Sequence, residues 1–135
     1  MSSRSQASPH LRCPCGSGLP YDECCARAHA GTTPPGTAEA LMRSRYSAFA
    51  LGECVYLLRS WHPRTRPDTL TLDPGLRWEH LEIVATHDGG PVHTKGTVEF
   101  RAHYRTADGS RGVLHENSRF VRDGGRWVYL DGDQI

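Results

Sequence analysis

Two different periods of hydrophobic and polar positions divide the chain. From Thr37 to Leu51 the spacing is helical. Leu41, Arg45 and Ala48 lie on one line that reaches Gly52, and Met42, Tyr46, Phe49 and Ala50 widen it into an apolar stripe. Thr37 stands where a helix takes its cap, and Ala40 three positions later leaves the reciprocal capping box incomplete. Glu39 suits the positive end of the helix dipole, and Gly52 is a natural stop. A second, shorter helix is predicted from Glu53 to Ser60, with Val55, Leu58 and Trp61 on its apolar side and Cys54 as a buried small hydrophobe. Pro63 and Pro67 then break regular structure around Arg64 and Arg66.

From about Leu76 the period falls to two. Trp78 and the run from Leu81 to Val84 begin a strand, and His87-Asp88-Gly89-Gly90 reads as a hairpin turn. Val98, Phe100, Ala102 and Tyr104 then alternate with Thr97, Glu99, Arg101 and His103. Ala107 to Ser110 turns the chain back, Gly112 to Arg122 alternates again, and Asp123-Gly124-Gly125 leads into a last strand from Arg126 to Asp131.

Helices followed by an antiparallel meander make an α+β arrangement. The mixed composition of both strand faces suggests a strongly curved sheet, or one covered on one side by helices. The expected result is a helix-lined cavity with Tyr46, Trp61, His62, Trp78, Glu99, His103, His115, Glu116 and Trp127 as its candidate lining. His62, Glu99, His103, His115 and Glu116 are the acid–base candidates among them. His115 and Glu116 are strand neighbours and must point to opposite faces. Glu99 and His103 share a face but lie too far apart along one strand to pair directly, and cross-strand pairing with His115 or Asn117 stays open. No Ser/His/Asp arrangement or phosphate loop is visible, and no catalytic residue is assigned.

Composition changes this picture little. Of 135 residues, 37% are apolar, a lean core that a metal or an oligomer interface would supplement. The formal charge of +1 gives no global attraction to nucleic acid or anionic lipid. Lys95 is the single lysine. Arg43, Arg45 and Arg59 read as a solvated face with ion pairs to nearby acids. No apolar run approaches a membrane span, and MSSRSQASPHLR has no signal-peptide core, so residues 1–11 read as a disordered tail and the expected compartment is the cytoplasm.

In a reducing compartment, the stretch RCPCGSGLPYDECC is the informative one, because it carries Cys13, Cys15, Cys24 and Cys25. Clustered reduced thiols point to a metal before a disulfide. Four thiolates make a closed, structural tetrahedron with no open position for a substrate. Adjacent cysteines converge only where the backbone turns, as at the start of a short helix, and Pro20-Tyr21-Asp22-Glu23 suits such a turn. His29, four residues past Cys25, is the alternative fourth ligand. One structural Zn2+ per chain is the expected cofactor.

C-P-C-G-S-G-x-x-Y-x-x-C-C resembles the SEC-C motif, the zinc-binding tail of the bacterial preprotein translocase ATPase. Cys13, Cys15, Cys24, Cys25, Gly16, Ser17, Gly18 and Tyr21 match it. Leu19, Pro20, Asp22 and Glu23 stand where the family usually has lysines. In the translocase the motif helps contact a chaperone and the ribosome. LMRSRYSAFALG, YLLRSWHPRTRP, GTVEFRAHYR and LHENSRFVRDGGRWVYLDG resemble the YchJ-like family of uncharacterised bacterial proteins. That resemblance implies an SEC-C motif joined to a cone-shaped, nuclear-transport-factor-2-like (cystatin-like) domain.

The expected organisation is therefore a tail over 1–11, the zinc motif over 12–30, a linker over 31–36 and the α+β domain over 37–135. The expected function is that of a zinc-binding accessory protein with a protein partner, with ribosome or RNA contact and a homodimer as further options and no membrane. The other function to weigh is a small-molecule-binding protein or an isomerase- or dehydratase-like acid–base enzyme working in the cavity.

Overall fold

The computed structural model describes residues 11–135, so the predicted tail lies outside the described residues except for Leu11, whose carbonyl accepts the Tyr21 amide at 2.8 Å. In chain order the elements are a 3-10 turn at Tyr21–Glu23 and helices α1 Cys25–His29, α2 Ala38–Leu51 and α3 Cys54–Arg59. The strands β1 Arg77–Asp88, β2 Lys95–Arg105, β3 Arg111–Asp123 and β4 Arg126–Gln134 follow.

Helix α2 starts and stops as its sequence requires. The Thr37 hydroxyl accepts the Ala40 amide at 3.0 Å, satisfying one of the unpaired donors at the helix start. Gly52 closes the helix in the left-handed region, with φ 77°, where a side chain would be strained. Leu41, Met42 and Tyr46 pack on Val98, Phe100, Ala102, Phe120 and Trp127 of the sheet.

Three expectations for the helices fail. Helix α3 turns Tyr56 and Leu57 inward and leaves Val55 75% exposed, because its inner side faces Ala48 of α2 and Leu70 and Leu72 of the following loop. Cys54, at its exposed start, is only half-buried. Arg45 is no solvated arginine: it is buried, donating to the Leu57 carbonyl at 2.8 Å and the Ser60 hydroxyl at 2.7 Å. Its guanidinium lies 5.0 Å from the Trp61 ring and 4.7 Å from the Tyr129 ring. Burial lowers its pKa to about 10, which leaves it charged at neutral pH.

The strands form one antiparallel meander in the order β1-β2-β3-β4. This corrects the expected cone. The sheet is open, neither closed nor strongly curled, with β1 and β4 as its two edges. Bulges at Trp78/His80 and Ile83/Ala85 in β1, and at Arg119/Phe120 between β3 and β4, kink single strands without carrying β1 round to β4. The β4 edge is instead covered by the chain leaving α3: Tyr129 N–H donates to Ser60, His62 N–H to Tyr129, and the Thr65 hydroxyl to Leu130.

An open sheet with helices on one side also explains the many polar residues along the strands. The face away from α2 meets water and carries charge pairs. Arg101 bonds Glu82 at 3.2 Å, Arg105 bonds Glu79 at 3.1 Å, and Arg119 bonds Asp131 at 2.5 Å and Asp133 at 2.7 Å. Between β1 and β2 the backbones approach closely. A Cβ on Gly96 would sit 2.4 Å from the Gly89 Cα and 2.5 Å from the Gly89 nitrogen. Backbone cannot move aside there, so Gly96→Ala is expected to destabilise the domain by about 2 kcal/mol or more. Gly124→Ala meets open space and suffers only its φ of 61°, a cost of about 1 kcal/mol. Urea midpoints of the two variants check the order; equal losses would mean the β1–β2 approach is looser than described.

Candidate metal centre

The cysteine segment folds as a miniature hairpin feeding a helix. Arg12 and Pro20 pair as an antiparallel bridge, and Cys13 N–H donates to the Leu19 carbonyl at 2.9 Å. Gly16 and Gly18, with φ of 84° and 88°, supply the tight reversal between them. Tyr21–Glu23 makes one 3-10 turn, and Cys24 then takes a sharply broken conformation, φ −130° and ψ −113°, as the residue preceding α1. That break lets the side chains of two adjacent cysteines face the same point.

The result is a cluster able to coordinate a metal ion. The sulfurs of Cys13, Cys15, Cys24 and Cys25 all lie within 4.8 Å of one another. Cys15 and Cys24 are 3.6 Å apart and Cys24 and Cys25 4.0 Å apart, with no disulfide among them. Cys13, Cys15 and Cys25 are buried and Cys24 half-buried. Hydrogen bonds from Cys15 and then Cys25 hold the Cys13 thiol far below its ordinary range. Cys25 moves the opposite way, first because its proton is held against Cys13. Burial pushes Cys24 up to about 11. The mutual hydrogen bonds thus favour charge on Cys13 over Cys24 and Cys25.

The cluster is pressed against α2. Cys13 Sγ lies 3.4 Å from the Ser47 hydroxyl, and Arg43 Nη1 donates to the Cys15 carbonyl at 2.7 Å. His29, the alternative ligand, is engaged elsewhere. Its Nε2 bonds the Ser44 carbonyl at 2.9 Å and its Nδ1 the Tyr21 hydroxyl at 2.7 Å. A carbonyl only accepts, so Nε2 carries the proton and Nδ1 accepts from Tyr21. Arg59 donates to the His29 carbonyl at 2.9 Å, tying α3 to the same corner. Ser47 and Arg43 were not among the residues expected here. Their only sequence signal is a pair of small hydroxyls, Ser44 and Ser47, in a helix otherwise free to use alanine.

The nine expected cavity residues are spread over the fold. Tyr46 and Trp127 are buried in the core, and Trp127 donates to the Gly36 carbonyl. Trp61 meets Tyr129 edge to face, and His62 accepts the Arg64 amide. Trp78 packs edge-on against Tyr46 and Tyr104. Glu99 and His115 do meet, at 2.6 Å, as a diagonal pair on the open face, where His103 sits beside His80 and Glu82. Glu116 points to the other face, accepting from Ser118 and Tyr129. A depression of about 330 Å3 does open beside the cysteines, between Leu19, Ala28, Pro34, Pro35 and Ala40.

Comparison with known proteins follows the same division. Residues 37–132 match the family model described as YchJ, middle NTF2-like domain, and residues 12–27 match the SEC-C motif. A UPF0225 protein of Streptomyces coelicolor is 60% identical over 125 residues, covering 93% of this chain and 97% of that protein. A UPF0225 protein of Corynebacterium efficiens is 55% identical over 124 residues, covering 91% of this chain and 93% of that one. The solution structure of an SEC-C motif containing protein from Rhodopseudomonas palustris aligns with TM-score 0.81 at 34% identity, over 93% of this chain and 99% of that one. A crystal structure of an SEC-C motif containing protein from Psychrobacter arcticus aligns with TM-score 0.76 at 30% identity, over 91% and 82%.

Burial lowers the pKa of His29 from 6.5, so it stays neutral in the fold and protonation favours the unfolded chain. Its contribution is complete above about pH 6.5 and is lost as pH falls below that. The melting temperature is therefore expected to drop between pH 7.5 and 5.5, and to drop less steeply in His29→Gln. Parallel slopes for the two proteins would exclude His29 as the titrating group.

Proposed function

The chain belongs to the YchJ-like family and carries an SEC-C motif, and from that premise we propose that it is a zinc-binding accessory protein that meets a protein partner through its N-terminal knuckle. One observation carries the metal assignment. Two sulfurs on one tetrahedral zinc at Zn–S near 2.3 Å are about 3.8 Å apart. The separations of 3.6 Å and 4.0 Å in the cluster bracket that edge, and thiolate is among the donors that suit zinc. Cys13, Cys15, Cys24 and Cys25 are the ligands in this reading, one zinc per chain. Four protein ligands leave no position for a substrate, so the metal is structural. Its binding energy becomes folding energy for a segment with little core of its own.

The division into a motif over 12–30, a linker over 31–36 and an α+β domain over 37–135 belongs to this proposal, as does a cytoplasmic setting that keeps the thiols reduced. Protein is favoured over RNA as the partner by the exposed Asp22 and Glu23 and by arginines occupied internally: Arg43 by Glu39 and Cys15, Arg59 by His29.

The test is the mass of the untagged chain, native against denatured. One zinc per chain is expected, lost in Cys13→Ser and Cys24→Ser and kept in Cys54→Ser. A native chain without metal would overturn the assignment. For the partner, Asp22→Lys with Glu23→Lys should abolish capture of a protein cross-linked within residues 12–30 while leaving zinc in place. Capture that survives this change but disappears on nuclease treatment would transfer the role to RNA.

A further inference from the structure

Ser47 lies in the middle of α2, in the α+β domain, and is 0% exposed. A serine costs an interior helical position relative to alanine, and a buried hydroxyl without a partner costs more. Among the described residues the Ser47 hydroxyl faces only sulfur: Cys13 Sγ lies 3.4 Å away, and the hydroxyl also acts on the Cys25 thiol. Ser44, one turn earlier and equally enclosed, differs in kind. Its hydroxyl is used up by the Leu41 carbonyl at 2.7 Å and the Tyr56 hydroxyl at 2.6 Å. A metal-bound thiolate has no proton to give, so in the metal centre Ser47 is the donor of this contact. The bond is charge-assisted when the sulfur is a metal-bound thiolate.

We propose that Ser47 is a positioning residue of the metal centre: from the α+β domain it donates a hydrogen bond to the metal-binding sulfur of Cys13, so that the centre is complete only when the cysteine segment is docked on α2. Arg43, one helical turn before Ser47, holds the same docking from outside through the Cys15 carbonyl. Donors that orient and partly neutralise a ligand are worth roughly 10- to 100-fold in metal affinity. The inference rests on the metal reading above, and it adds that α2 belongs to the site.

The test uses the full chain with zinc and with cobalt as probes. Ser47→Ala is expected to bind zinc about tenfold or more weakly in competition with a chelator. Its cobalt form should show the sulfur-to-metal charge-transfer band at longer wavelength, because a sulfur lone pair relieved of a hydrogen bond rises in energy. Ser44→Ala should lower the melting temperature while leaving zinc affinity and the cobalt band unchanged. If Ser47→Ala binds within twofold of wild type with the band unmoved, the role of Ser47 is wrong and the metal centre stands. Equal loss of affinity in both variants without a band shift would reduce the effect to general packing. Wild-type chain that takes up neither metal overturns the metal reading and this inference together. A second measurement needs no variant: in wild type loaded with spin-half cadmium, scalar coupling from the Ser47 hydroxyl proton to the metal is expected, and its absence counts against the bond.

Discussion

Thiols that meet within 4.8 Å without bonding cannot all lose their protons, because each added negative charge repels those already present. Within the cluster, hydrogen bonds pull the Cys13 thiol down while Cys24 and Cys25 are pushed up. A divalent cation relieves the repulsion, since two positive charges allow all four sulfurs to ionise. The segment has little else to bury. Its interior consists of Cys13, Cys15 and Cys25, with Tyr21 and Cys24 against them. The electrostatics of four sulfurs therefore decides whether this part of the chain has a core at all.

Helix α2 carries that dependence into the rest of the molecule. One of its sides packs Leu41, Met42 and Tyr46 on the sheet. Another presents Arg43, Ser44 and Ser47 to the cysteine segment and His29. A third sends Arg45 under Trp61 and Tyr129. A helix buried on three sides cannot show a clean amphipathic stripe. This is why its pattern in sequence broadens from Leu41, Arg45 and Ala48 into nearly every position.

What was legible in the sequence is what local chemistry decides. The cysteine spacing, the Thr37 cap, the Gly52 stop and the strand alternation each follow from neighbours a few residues away, and each appears in the fold. What was not legible depends on contacts across long separations. Val55 or Tyr56 could each have formed the inner face of α3, and only the position of Ala48, Leu70 and Leu72 chooses Tyr56. Curvature is of the same kind: polar residues on both strand faces suit a cone interior as well as a wetted open face. Salt pairs such as Arg101–Glu82 belong to the second. The expected pocket fails to assemble around Glu99, His103 and His115 for that reason, since these alternate onto the side away from α2.

The open face also bears on where recognition can occur. Three of its arginines are matched by carboxylates on adjacent strands: Arg101 with Glu82, Arg105 with Glu79, and Arg119 with Asp131 and Asp133. Exposed pairs of this sort contribute little stability each, but they offset the positive field of the arginines they contain. The corner of the cysteine segment is different. There an exposed Leu19, the apolar depression along Pro34 and Pro35, and the acidic Asp22 and Glu23 stand together on backbone fixed by the sulfurs. A surface ordered before its partner arrives loses less conformational entropy on binding than a flexible one. A metal that fixes this corner would therefore act on affinity without touching the partner, which makes a closed, substrate-free metal site compatible with a role in recognition.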